Sequence, residues 1–261
     1  MPPARVLLYT ASLAVLVLTA DAVLVGPPPL PVSALACLAY VGFVLSGVFV
    51  IRLRMFADAI TRGPDGARGF ALTFDDGPDP TSTPRVLDAL DAAGAKATFF
   101  VIARKAEAHP ALVKEILARG HAVGLHSYAH DRLFSLRGSR RVRADLERGL
   151  AVLESITGTR PTLFRPPIGH TNPIIARVSD ELALSIVGWD VSAFDGIAGA
   201  NVERVVARVS SRLRDGSIVL LHDASERGTH APVAADAIVR IVEAAREARM
   251  DVVPLGPWVD D

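Results

Sequence analysis

The chain is poor in cysteine and carries no net charge. Of its 261 residues only Cys37 is a cysteine, and 28 basic residues balance 28 acidic ones. One cysteine excludes an internal disulfide, and zero net charge gives no support for a nucleic-acid partner. The sequence also lacks a P-loop, a G-x-S-x-G elbow and a C-x-x-C pair. These absences argue against phosphate-loop, serine-esterase and thioredoxin-type chemistry.

Two long apolar runs dominate the N-terminal fifth of the chain. Residues 6–25 contain one charged residue, Asp21, and residues 32–51 contain none. Each run is about twenty residues long, which is the length of a helix that spans the bilayer core. The connection at residues 26–31 holds four prolines and one glycine, which is typical of a tight turn. The sequence therefore predicts two transmembrane helices, at about 6–25 and 32–51.

The first run also fits a cleaved signal peptide. Arg5 would form its basic region, and the Ala-Asp-Ala segment at 20–22 resembles a cleavage site. The second run would still remain in the mature protein, so two spans are the favoured interpretation. Arg5 precedes the first span, while Arg52 and Arg54 follow the second. By the positive-inside rule, this favours a cytoplasmic location over an extracytoplasmic one for everything after residue 55.

Beyond residue 55, short apolar runs alternate with helical segments that begin and end at proline, asparagine and glycine. We expect a linker at 56–68 and one domain at 69–261. The predicted strands are residues 70–74, 97–102, 121–125, 163–165, 184–189, 217–221 and 251–254. Repeated strand–helix alternation predicts a parallel sheet with crossover helices, either doubly wound or closed into a small barrel.

Ionisable side chains stand at or shortly after the ends of five of these strands. In chain order they are Asp75 and Asp76, His126 and His130, Arg165, Asp195, and His222. In parallel α/β folds, functional residues gather at the carboxyl ends of the strands. We therefore expect these groups to share one site.

The spacing of two histidines points to a metal. His126 and His130 are four residues apart, so on a helical turn both imidazoles face the same side. With one carboxylate they form a 2-His-1-carboxylate set that leaves positions open for water and substrate. Asp75 and Asp76 resist being ionised together unless a cation offsets them. One is expected to bind the metal, and the other to pair with the guanidinium of Arg165.

His222 ends an apolar strand opposite this predicted metal site. A lone histidine in such a place is more often structural. Its position favours a general acid instead, because histidine transfers protons near neutral pH. Asp195 is expected to hold His222 in the required tautomer, as a carboxylate does in a catalytic triad.

Five motifs in order resemble those of the polysaccharide deacetylases, the NodB-homology enzymes of carbohydrate esterase family 4. They are Thr73-Phe74-Asp75-Asp76-Gly77-Pro78, His126-Ser127-x-x-His130, Arg165-Pro166-Pro167-x-Gly169, a degenerate segment ending at Asp195, and Leu220-Leu221-His222-Asp223. The resemblance covers about residues 69–255. It implies a distorted (β/α)7 barrel, here preceded by the two-helix transmembrane hairpin, and a divalent metal, commonly zinc. It also implies hydrolysis of N-acetyl groups on sugars.

The resemblance further implies a role for each site residue. Asp75 would be the general base held by Arg165, and His222 the general acid tuned by Asp195. The remaining implied roles are metal binding by Asp76, His126 and His130, lining of the acetyl pocket by Leu220, and an oxyanion contact from a backbone N–H near Ile168.

Two departures from the family pattern bear on the substrate. Ile168 and Gly196 stand where the family usually has aromatic residues, so the sugar groove is expected to be less aromatic. The expected partners are the lipid bilayer and an N-acetylated sugar, either a cell-wall polysaccharide or a lipid-linked sugar, with no nucleic acid. The alternative is a non-catalytic sugar-binding or scaffold protein that retains the fold.

Overall fold

A computed structural model describes residues 1–227 and 230–259; the predicted end of the domain at 261 lies outside these residues. Two helices come first, α1 (Pro3–Leu24) and α2 (Leu30–Phe49). The Ser12 hydroxyl lies 2.8 Å from the Tyr40 hydroxyl, so the helices pack side by side. Both are long and apolar enough to cross a membrane, and almost none of their surface is buried. The predicted apolar helices are therefore present within three residues of the expected bounds.

Seven parallel strands form a single sheet. They are β1 (Phe70–Asp75), β2 (Ala97–Val101), β3 (Ala122–Leu125), β4 (Leu163–Phe164), β5 (Ser185–Ile186), β6 (Val191–Ser192) and β7 (Ser217–His222). Their order is β5-β4-β3-β2-β1-β7-β6. The carboxyl ends of β1, β3, β4 and β7 therefore meet at one edge, as the sequence predicts.

The sheet is curled into a half-barrel. The edge strands β5 and β6 are joined directly from Ile186 to Val191, and five Cα steps reach at most about 19 Å. A flat sheet of seven strands would be about 29 Å wide, so its edges must bend toward each other. The (β/α)7 fold expected from the family resemblance is confirmed.

Two predicted strands are wrong in detail. Residues 251–254 make only an isolated bridge, between Phe70 and Val252, because β2 pairs with that side of β1 from Leu72 onward. The predicted strand 184–189 ends early, at Ile186, and the chain then crosses to form β6. A two-residue strand such as β6 is too short to show a periodic pattern.

Helices cover the outside of the sheet. They are α3 (Thr83–Ala92), α4 (Ala103–Ala108), α5 (Pro110–Ala118), α6 (Ser139–Thr157), α7 (Pro173–Glu181), α8 (Val202–Ser210) and α9 (Ala234–Glu247). The side chains of Asn172 and Asn201 cap α7 and α8 by accepting hydrogen bonds from backbone N–H groups. The short helix α4 begins after Ile102 without a side-chain cap.

Successive side chains of β1 face opposite sides of the sheet. Phe70, Leu72 and Phe74 pack in the outer core, while Ala71 lies in a smaller inner cluster with residues such as Phe100. Thr73 and Asp75 are on the same side as Ala71, so they face the barrel interior. Within the segment predicted as a linker, Ile60 forms an isolated bridge with Val187.

Candidate active site

The turn after β1 is organised by a carboxylate that sequence reasoning did not assign a role. Asp223 accepts hydrogen bonds from the Gly77 N–H (3.0 Å) and from the Thr83 hydroxyl (2.6 Å). A Cβ on Gly77 would lie 1.9 Å from Asp223 Oδ2, so only glycine fits. Asp76, the residue before Gly77, has φ 77°. This left-handed conformation costs energy in a non-glycine residue. Asp223 thereby helps to hold Asp76 in place.

Asp76, His126 and His130 form a buried cluster. Their ligand atoms all lie within 4.8 Å of one another. Asp76 Oδ1 is 3.6 Å from His126 Nε2 and 3.4 Å from His130 Nε2. This oxygen is buried and has no hydrogen-bond partner in the described chain, which is costly unless a cation or water is present.

The electrostatics of the cluster suit a divalent metal. Burial lowers the pKa values of His126 and His130 to about 3, so both rings are neutral and have lone pairs available. Burial also raises the pKa of Asp76 to about 7; a bound cation would favour its ionised form. Two neutral imidazoles and one carboxylate, whose Oδ1 has no hydrogen-bond partner among the described residues, fit Zn²⁺ or a similar ion.

Neighbouring groups contact all three residues, and one of them fixes the orientation of His126. His126 Nδ1 donates a hydrogen bond to the Arg165 carbonyl (2.7 Å), so its Nε2 carries the lone pair that faces Asp76. His130 Nδ1 lies 3.3 Å from Glu226 Oε1 without meeting hydrogen-bond geometry. Lys105 Nζ donates to the backbone carbonyl of Asp76 at 2.8 Å.

Arg165 lies behind Asp75 inside the barrel and is fully buried. Its Nη1 donates to Asp75 Oδ1 at 2.7 Å and to the Thr73 hydroxyl at 2.9 Å. Its Nε and Nη2 donate to the carbonyls of Val187 and Gly188. The guanidinium is thus fixed on three sides, and it leaves Asp75 Oδ2 directed toward the histidine cluster, 3.8 Å from His126 Nε2.

His222 and the fully buried Asp195 form a second pair. Asp195 accepts hydrogen bonds from the His222 backbone N–H (2.8 Å) and from its ring Nδ1–H (3.0 Å). Burial alone would lower the pKa of His222, but the Asp195 carboxylate outweighs it and the net pKa is raised to about 9. His222 is therefore a protonated ring whose orientation is fixed by two hydrogen bonds.

One open cavity of about 380 Å³ joins these groups. The predicted site residues that line it are Asp75, Asp76, His126, His130, Ile168, Leu220 and His222. Arg165 and Asp195 lie directly behind Asp75 and His222. The structure thus brings all nine predicted site residues together.

The cavity wall differs from the wall expected from the sequence. Trp189 and Phe194 line it, so aromatic side chains are present although Ile168 and Gly196 are not aromatic. A Cβ on Gly196 would lie 2.9 Å from the His222 ring, so a larger side chain would require a local shift in this chain. His230, on a loop near the mouth, also lines the cavity.

The chain is similar in sequence to known enzymes of one family. A family model described as polysaccharide deacetylase matches residues 62–187. A peptidoglycan-N-acetylglucosamine deacetylase of Bacillus cereus is 38% identical over 163 residues, which are 61% of this chain and 75% of the relative. This chain belongs to the polysaccharide deacetylase family. The predicted enzyme class, a polysaccharide deacetylase-like amidohydrolase, is confirmed.

Other members of the polysaccharide deacetylase family are similar to this chain in sequence and in structure. A chitooligosaccharide deacetylase of Sinorhizobium fredii is 36% identical, covering 63% of this chain and 76% of the relative. A crystal structure of a peptidoglycan N-acetylglucosamine deacetylase superposes with a TM-score of 0.72 at 30% identity, covering 77% of this chain and 92% of the other.

Several polar residues around this candidate site were not predicted, among them Lys105, Asp223 and Glu226. Lys105 lies on α4, a helix without a clear sequence signal. Glu226 lies on the loop after β7 and pairs with Arg132 (2.7 Å). Asp223 stands inside the fifth motif, next to His222, so its place beside a catalytic candidate was a signal available in the sequence.

Proposed function

We propose that this protein removes the acetyl group from an N-acetylated amino sugar by metal-dependent hydrolysis, with Zn²⁺ as the favoured ion. The observation that carries this proposal is the orphaned Oδ1 of Asp76, which is buried between the Nε2 atoms of two neutral histidines. A divalent ion bound by Asp76, His126 and His130 would supply Lewis acidity for the hydrolytic water and the amide carbonyl.

In this mechanism the chain's own groups move the protons. Asp75 Oδ2 takes a proton from the attacking water, while Arg165 holds the other carboxylate oxygen. His222, held protonated by Asp195, donates a proton to the departing amine. The Ile168 backbone N–H, at φ 51° beside the cavity, is proposed to stabilise the oxyanion, and Leu220 to contact the acetyl methyl.

The substrate class is proposed from the cavity and from the relatives. The relatives named above act on peptidoglycan and on chitooligosaccharide, and both names support an N-acetylhexosamine unit. An open cavity walled by Trp189 and Phe194 can accept a sugar ring on an aromatic face. The sugar could belong to a cell-wall polysaccharide or to a lipid-linked carrier, and we favour the lipid-linked form because α2 ends beside the site.

We further propose that α1 and α2 cross the bilayer, with residues 1–55 as the membrane anchor, 56–68 as the linker and 69–261 as the catalytic domain. The lengths and exposed apolar surfaces of the two helices support this. Arg5, Arg52 and Arg54 favour the cytoplasmic face for the catalytic domain.

A non-catalytic sugar-binding or scaffold role is the alternative. It gains no support from the site, because the proposed ligands, base and acid are all present and within reach of one cavity. The alternative predicts sugar binding without release of acetate.

The test is acetate release by the purified full chain, in lipid nanodiscs with Zn²⁺, from an N-acetylchitooligosaccharide and from an N-acetylglucosaminyl lipid. Replacement of His222 by alanine should lower kcat by about 10²–10⁴-fold, the usual contribution of a general acid. His109→Ala, at the start of α5 and outside the cavity, is the matched control. Acetate release that His222→Ala leaves unchanged would contradict the proposed mechanism.

A further inference from the structure

Outside α1 and α2, few large apolar side chains are exposed. Among the described residues after position 50 they are Leu133, Leu136, Ile168, Phe194 and Ile197, with exposed fractions between 42% and 76%. Single exposed apolar residues are ordinary, but a group on one face marks an interaction surface. We call these five side chains the apolar rim.

The rim surrounds the mouth of the active site. Ile168, Phe194 and Ile197 line the catalytic cavity. Leu133 and Leu136 lie on the loop that follows the proposed ligand His130. The two leucines flank Ser135, whose backbone carbonyl accepts a hydrogen bond of 2.6 Å from the Asn172 side chain. This bond ties their loop to the segment that carries Ile168.

The same segment is fixed to the end of α2. The Thr171 N–H donates to the Val48 carbonyl at 3.1 Å, and the His170 ring lies edge-on to Phe49 with centroids 4.8 Å apart. Thr171 is three residues after Ile168, so their Cα atoms are at most about 11 Å apart. Ile168 therefore lies close to the point where α2 ends, and the loop of Leu133 and Leu136 is joined to the same segment through Asn172.

We propose that the apolar rim inserts into the surface of the same bilayer that α1 and α2 cross, so that the catalytic cavity opens onto the membrane interface. This rests on the proposed transmembrane role of the two helices. Continuity with the end of α2 distinguishes a lipid surface from a soluble protein partner. Leucine, isoleucine and phenylalanine are the side chains that interfacial segments bury at the headgroup boundary.

The position of the cavity mouth affects which substrates reach it. A cavity that opens at the headgroup level meets amino sugars carried on membrane lipids, whereas a soluble oligosaccharide has to approach the same mouth from the water side. Loss of the apolar rim should therefore lower the turnover of a lipid-linked substrate much more than the turnover of a soluble one.

Spin labels test the location of the rim without any need for enzyme activity. In a Cys37→Ser background, single cysteines are introduced as Leu136→Cys and Ile197→Cys, with Glu243→Cys on the exposed side of α9 as control. In phosphatidylcholine–phosphatidylglycerol nanodiscs, labels at 136 and 197 should be relaxed mainly by lipid-dissolved oxygen, and the label at 243 mainly by an aqueous nickel chelate. Equal chelate access at all three positions would overturn the proposal.

A double variant tests whether the rim affects the lipid-linked substrate selectively. Leu133→Ser with Leu136→Ser should lower turnover of an N-acetylglucosaminyl lipid in the nanodiscs by about tenfold and leave turnover of a soluble N-acetylchitooligosaccharide unchanged. Leu133→Met with Leu136→Met keeps the apolar surface and should behave as the parent. An equal loss on both substrates, or no loss on either, would contradict the proposal. If the parent releases no acetate at all, the proposed function fails, while the spin labels still decide the position of the rim.

Discussion

Asp75 and Asp76 are adjacent, but among the described residues only the Asp75 carboxylate is paired with a guanidinium. Arg165 Nη1 lies 2.7 Å from Asp75 Oδ1; the guanidinium is fully buried, and Asp75 borders the catalytic cavity. Asp76 Oδ1 has no hydrogen-bond partner in the described chain and faces two histidine nitrogens instead. The pair of carboxylates is thus divided between a fixed guanidinium and a proposed metal.

Removal of the guanidinium should destabilise the fold. Arg165→Met leaves Asp75 buried without a cation, and breaking one side of a buried ion pair costs about 3–5 kcal/mol. Urea denaturation of the full chain in detergent, followed by tryptophan fluorescence, measures the free energy of unfolding. Arg140→Met, at an exposed position of α6, is the control and should change it by less than about 0.5 kcal/mol. Equal stabilities of the two variants would contradict the assigned role of Arg165.

The basic limb of the pH profile should depend on Asp195. His222 acts as an acid only while protonated, so activity falls as pH rises through its pKa, which the Asp195 carboxylate raises. Asp195→Asn removes that carboxylate, lowers the pKa of His222 and should move the loss of activity to lower pH. The measurement is kcat/KM against pH for both proteins with the same metal, because a bound cation itself opposes protonation of His222. An unchanged basic limb in Asp195→Asn would exclude His222 as the acid.

A methyl group on Gly77 should weaken the metal site. In Gly77→Ala the new Cβ would lie 1.9 Å from Asp223 Oδ2, so the turn must shift and Asp76 must move with it. Loss of such supporting contacts typically costs 10- to 100-fold in metal affinity. Competition with a zinc chelator measures that affinity. Gly256→Ala, where a Cβ meets no atom within 4 Å, is the matched control, and an affinity equal to this control would exclude Asp223 as a support for Asp76.

The proposed topology can be read with fusion reporters. A reporter active only in the cytoplasm should work when fused after residue 55 or after residue 261, and should be silent after residue 28, between α1 and α2. A reporter active only outside the cytoplasm should show the opposite pattern. Extracytoplasmic activity of the fusion after residue 261 would exclude a cytoplasmic substrate and favour a cell-wall polymer.

The catalytic groups could be predicted because the fold gathers strand ends. Asp75 and His222 end the six-residue buried strands β1 and β7, and His126 directly follows the shorter β3. Parallel pairing then places the three residues together. The metal grouping required only the spacing of two histidines and a carboxylate. Arg165 has an equivalent position. It directly follows β4, in which Phe164 pairs with Ile186 of β5.

Other parts of the fold had no comparable sequence signal. β6 has two residues, and the contact that defines it is with β7, which lies 25 residues further along the chain. Lys105 reaches the Asp76 carbonyl from α4, which begins directly after β2 without a side-chain cap. The place of Glu226 near His130 depends on how two distant loops meet, and no local pattern specifies that.

The two adjacent aspartates are proposed to have different roles. Asp76 binds the metal, and Asp75 takes the proton from the attacking water. Asp75→Asn and Asp76→Asn differ from the parent by the same atoms, so each controls for the other. Bound zinc is measured by elemental analysis of the purified full chain, and acetate release is measured on the same preparations. We predict that Asp75→Asn keeps its zinc and loses about 10²–10⁴-fold in kcat, whereas Asp76→Asn loses both zinc and activity. Equal zinc content in the two variants, or full activity in Asp75→Asn, would contradict the account.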